Sequence, residues 1–150
     1  MPSTTTARLM ASLAAALEAV VPCEQLASDD TFAVFIGDRP REMMFGAQRT
    51  VHLSGAAGRR VNNSAWCDEW ETVLAIENTV PLSTGITDTS GWSSMQMVIE
   101  DAEALLEAAY TWAAAQPGVT IDPQPAPVQD TADNVLVCVR GISLRYQRTE

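Results

Sequence analysis

The stretch "DEWE" sets Asp68, Glu69 and Glu71 side by side. Paired carboxylates are what glycoside hydrolysis or a hard-metal site would use. An extended backbone sends Glu69 and Glu71 to the same face, so such a pair is geometrically possible. Clustered acids at the start of a strand more commonly form a solvated edge, where charge also deters unwanted strand pairing. His52 is the single histidine, so any Ser/His/Asp or Cys/His arrangement would have to use it as base, and its place in an expected strand points to an ordinary structural or surface histidine. Cys23, Cys67 and Cys138 are far apart and have no C-x-x-C spacing, which gives no zinc site and leaves free thiols or apolar fillers. "GAAGRR" (residues 55–60) lacks the GK[ST] ending and the strand-loop-helix context of a phosphate loop. Met43, Met44, Met95 and Met97 read as core or interface filler. The expectation is a protein that is not an enzyme and needs no cofactor or metal.

Charge narrows the class further. The 150 residues hold 19 acids against 9 bases, all of them arginine, for a net charge of −10. Affinity for nucleic acid ordinarily comes from basic side chains that displace counterions from phosphates, and adhesion to anionic membranes has the same requirement. Neither is expected. The start of the chain lacks the pattern of a signal peptide, and no stretch approaches the roughly 20 apolar residues of a membrane span, so a soluble protein is expected. With 47% hydrophobic and 19% charged residues, the chain should fold as a single domain over 1–150.

The elements that must position these residues can be read from periodicity. In residues 5–21, Leu9, Leu13, Leu17 and Val20 recur at spacings of three and four, which predicts a helix with one apolar face, capped by the hydroxyls of residues 3–6 and ended by Pro22. "TFAVFIG" (31–37) predicts a strand closed by "DRPR", and "QRTVHLS" (48–54) a weaker one. "GAAGRRVNNSA" (55–65) reads as a flexible polar loop carrying Arg59 and Arg60. "EWETVLAIENTV" (69–80) alternates as a strand should: Trp70, Thr72, Leu74, Ile76 and Val80 on an apolar face, Glu71, Val73, Ala75, Glu77 and Thr79 on a mixed face available for contact. The strongest helix is predicted over 94–116, with Ser93 and Gln96 at capping-box spacing. A proline-studded loop over 117–130 leads to a closing strand, "NVLVCVRGISLRYQR", whose first half is apolar on both faces and so reads as central in the sheet, with a bulge or twist at Gly141. The fold class expected is α+β, a mainly antiparallel sheet of about four strands with two helices packed on one face.

In that order, the helix "ARLMASLAAALEAV", the strand and proline turn "AVFIGDRPRE", the arginine-bearing loop entering "WETVLAIENTV", the helix "MVIEDAEALLEAAYTWA" and the strand "VLVCVRGISLRYQR" resemble the tail terminator (tail completion) proteins of long-tailed bacteriophages and gene transfer agents. The likeness is one of layout and covers nearly the whole chain. It implies a virion protein of the head-tail junction. About six copies would close into a homo-oligomeric ring that caps the tube of major tail protein, stops its polymerisation and docks to the head-tail connector or stopper. Such a ring needs head-to-tail contacts that close by rotation.

Within that resemblance, Arg59, Arg60, Trp66 and Trp70 are the candidate interface residues. Glu69, Glu71 and Glu77, or the outward acids of the second helix, are candidates for an acidic bore through which DNA passes without specific binding. A charge of −10 per copy gives roughly −60 over about six copies, felt over ~8 Å at physiological salt. Another neck ring, a stopper or head-completion protein, shares the layout and is the near alternative. The alternative from a different class is a small acidic inhibitor or immunity-type protein that masks a basic partner by electrostatic complementarity.

Overall fold

The computed structural model describes residues 6–22, 32–37, 50–54, 58–64, 67–81, 88–123, 128–132 and 135–147. Among them the chain runs α1 (Thr6–Glu18), β1 (Ala33–Ile36), β2 (Thr50–Ser54), β3 (Gly58–Ser64), β4 (Cys67–Pro81), α2 (Asp88–Ala115), β5 (Thr120–Pro123), β6 (Val128–Ala132) and β7 (Val135–Gln147). The fold is α+β, as expected. The sheet, however, has seven strands rather than about four, in the order β1-β2-β4-β7-β5, with β3 also beside β4 and β6 also beside β7. It is mixed, because β1 and β2 run parallel while the remaining pairs are antiparallel.

The two longest strands, β4 and β7, form the spine. Each leaves one edge for two shorter strands placed end to end: β3 and β2 along β4, β5 and β6 along β7. This arrangement accounts for the extra strands. The segment 55–65 is not a loop over its whole length: Gly58–Ser64 pairs with β4, and a register shift falls between Arg60 and Asn62. Within 117–130, Thr120–Pro123 and the start of β6 pair with β7. Pro123 is tolerated there because an edge strand has a side that donates no ladder hydrogen bond. Gly141 makes no bulge, since the β4–β7 register passes through Ala75↔Gly141 without a shift.

Alternation along β4 and β7 decides what faces the helices. Register pairs Thr72 with Leu144, Leu74 with Ile142 and Asn78 with Cys138. Leu53 and Val51 extend the same face through Ile76 and Asn78. Against it lie Leu9, Met10, Leu13 and Leu17 of α1 and Leu105, Leu106, Ala109 and Trp112 of α2, in one cluster. Leu13, Leu17, Leu105, Ile142 and Leu144 expose no surface, and burying each contributes about 1.5–3 kcal/mol relative to exposure. Val98, Ala102 and Cys138 form a satellite cluster, where Asn78 Nδ2 donates to the Val98 carbonyl at 3.1 Å.

Helix α2 begins at Asp88, six positions before the expected start at 94, so Ser93 lies inside it and does not cap it. Gly91, at about 1 kcal/mol against helix relative to alanine, hides this first turn in the sequence. Several polar atoms inside the layer are paired. Tyr146 Oη bonds the hydroxyls of Thr6 and of Thr72, the latter at 3.2 Å, and Trp112 Nε1 donates to Ser12 Oγ at 3.0 Å.

Candidate interaction surface

The face of the sheet turned away from the helices is built from the odd-numbered residues of β4 and their register partners. Glu69 lies opposite Gln147, Glu71 opposite Arg145, Val73 opposite Ser143 and Glu77 opposite Val139. On the other edge of β4, Arg59 is opposite Glu71 and His52 opposite Glu77. Glu69, Glu71 and Glu77 therefore share one face, as alternation requires.

At one end this face is ionic. Arg59 Nη2 donates to Glu71 Oε1 at 2.9 Å, and Arg145 Nε lies 3.3 Å from Glu71 Oε2. Arg145 Nη1 is also 3.8 Å from Glu69 Oε1. Three adjacent strands thus contribute one arginine, one carboxylate and one arginine in a row, the directly opposed pairing that favours opposite charges. The Glu71 side chain is 11% exposed, while those of Arg59 and Arg145 are 74% and 53% exposed. The acid is the base of the row and the guanidiniums are its outer surface. The Arg59 guanidinium bonded to it holds the Glu71 carboxyl below its ordinary value; burial pushes the other way, and Arg145 adds to the lowering. A guanidinium carries five donors in a fixed fork, so both arginines keep the capacity to take a carboxylate from a partner. Beside them Val73 is half exposed.

Arg60 turns to the other side of β3. Its Nε is 2.8 Å from Asp68 Oδ1, which also accepts from Trp70 Nε1 at 2.9 Å, and its guanidinium carbon lies 5.5 Å from the centre of a Trp70 ring. Trp70, partly buried against the core, is a platform for Arg60 more than a free contact. Trp66 lies outside the described residues, as do Met43 and Met44.

Neither the protein-family models nor the curated proteins match this chain. Its surfaces must be judged by their chemistry.

The far end of the same face, expected to be mixed and partly exposed, is largely covered around His52, while Ala75 and Glu77 stay partly exposed. His52 is fully buried, with Thr50 and Thr79 nearly so, and the two threonine hydroxyls bond each other. The His52 ring stacks on Phe35, centroids 5.3 Å apart. Among the described residues the most exposed part of this face lies near Val73, Arg59 and Arg145. No local sequence signal marks Arg145, because its partner is 74 residues away and only the β4–β7 register brings them together.

Among the described residues no three His, Cys, Asp or Glu side chains are grouped as a metal site would need. Among the same residues no helix is long and apolar enough to cross a membrane. Cys138 is buried and free, its thiol pushed up by that burial.

Proposed function

We propose that this chain is a structural protein of a phage-like head-tail junction, acting as a tail terminator ring. In this reading about six copies close head to tail, cap the tail tube, end its growth and offer a surface to the head connector. The supporting observation is the Arg59-Glu71-Arg145 row, with its guanidiniums turned outward beside half-exposed Val73. A heterologous contact needs a patch that differs from the surface it meets. Two outward arginines on a chain of net charge −10 are such a patch, complementary to the acidic surface that dominates the rest of a neighbouring copy. The remaining surplus of carboxylates leaves the assembled ring acidic, so DNA moves through it without adhering.

The test is the mass of the purified protein, alone and with tail tubes, for the natural chain and for the double variant Arg59→Glu/Arg145→Glu. Ring mass or tube-end binding that the double variant loses supports the proposal. A second reading, a small acidic protein that masks a basic partner, is favoured by the exposed Glu100, Glu103 and Glu107 along α2. It predicts a monomer that forms one-to-one complexes and never joins particles.

A further inference from the structure

An open groove of about 540 Å³ runs between the C-terminal halves of the two helices. Its α2 wall consists of Ala104, Ala108, Thr111 and Ala115, and the facing wall of Ala16 on α1 with Ala19 and Val20 just beyond its end, Trp112 lying between them. The α2 residues are spaced four, three and four apart, the repeat with which one helix meets another along a seam. At 1.5 Å per residue that wall is roughly three turns long. Small walls leave room for large side chains brought by a partner. Polar groups are few, the Glu107 carboxylate and the Thr111 hydroxyl, whereas a small-molecule site would converge several.

Among the described residues the charges at the rim are acidic. Glu107 borders the groove and Glu18 stands next to Ala19, both exposed and neither with a cationic partner among the described residues. Glu100 lies on the same stripe of α2 two turns earlier. Both helices end beside the groove, at Glu18 and Ala115, with no basic residue in either last turn, so the negative ends of both helix dipoles add to the carboxylates. A second copy docking groove to groove would set these negative groups against each other.

We propose that this groove docks an amphipathic helix of another protein, with bulky aliphatic or aromatic side chains on one face and Lys or Arg along both flanks. The apolar face fills the space over Ala104, Ala108 and Ala19, and the cations meet Glu18 and Glu107. The site lies on the helix layer, away from the arginine row on the outer sheet face, and does not depend on the ring reading.

The test uses two helical peptides of roughly 18 residues, identical in a Leu/Phe face and flanked either by Lys/Arg or by Glu, titrated calorimetrically into the full chain. The basic-flanked peptide is expected to bind and to weaken as salt rises. Glu18→Lys/Glu107→Lys, at exposed positions, should weaken it about tenfold by removing two rim attractions. Ala108→Leu, which occupies the groove, should abolish it while circular dichroism stays unchanged. Equal binding of both peptides, no binding of either, or binding that survives Ala108→Leu would overturn the proposal. So would capture of the chain by anionic vesicles in place of the peptide, or concentration-dependent self-association that the basic-flanked peptide does not compete away and Ala108→Leu removes.

Discussion

Arg145 reaches across the β4–β7 pair to Glu71, Nε to Oε2 at 3.3 Å, although 74 residues separate them in the chain. With Arg59 on the opposite side, the contact fixes the protonation behaviour of Glu71. The folded-state value of Glu71 lies below the ordinary 4.5, so its ion pairs contribute stability that is fully present above the ordinary value. That stability is lost as pH falls through the lowered one. Urea unfolding measured from pH 7 down to pH 3 should therefore show Glu71→Gln losing stability relative to the natural chain at neutral pH. The two curves should converge at the acid end, and a constant gap across the range would contradict the assignment.

Gly58 is fixed by close approach rather than by backbone conformation. A Cβ there would stand 2.5 Å from Thr6 Oγ1, 2.6 Å from Tyr146 Oη and 3.2 Å from Trp70 Cε3. Because both hydroxyls are bonded to one another inside the layer, neither can retreat without breaking that bond. Gly58→Ala should cost about 1–3 kcal/mol in urea unfolding. Tyr146→Phe/Gly58→Ala should recover part of the loss if the hydroxyl is the obstacle.

Gly118, just beyond α2, has φ of 72° and empty space around its Cα hydrogen. Its requirement is conformational, since an L side chain is strained in that region. Gly118→Ala should destabilise by about 1 kcal/mol, and Gly118→Asn by less. Equal losses for the two substitutions, read from thermal melts, would contradict this reason.

Leu13 and Val73 separate core from surface. Leu13 is fully buried between α1, α2 and the sheet, whereas Val73 is 50% exposed. Leu13→Ala should cost about 2–5 kcal/mol. Val73→Asp should stay within about 0.5 kcal/mol of the natural stability, yet weaken self-assembly measured by sedimentation if the open part of the outer face is the contact. A Val73→Asp chain that assembles normally would move the contact elsewhere.

What the sequence disclosed follows from how local each signal is. Leu9, Leu13 and Leu17 mark their helix face by spacing alone, and the alternation from Trp70 to Thr79 assigns Glu69, Glu71 and Glu77 to one side, because both periods are properties of adjacent residues. The polar segments around Arg59 and around Asp122 read as loops. Gly, Asn and Pro have low strand propensity, and what makes these segments strands is the edge that β4 or β7 offers them, a tertiary influence. The same limit hid Arg145 and the α1–α2 groove: each is assembled from positions that only register or helix packing brings together. Glu69 and Glu71, candidates for an acidic bore, carry arginine neighbours, which no count of charges could disclose.

The most direct test of the proposed ring is the mass of the assembled species by native mass spectrometry or sedimentation, with and without tail tubes. From a 16.1 kDa chain, closure predicts a discrete species of about six copies, alone or at tube ends, which Arg59→Glu/Arg145→Glu returns to single folded chains. A particle that remains at 16.1 kDa at every concentration, and leaves tube growth unaffected, would contradict it.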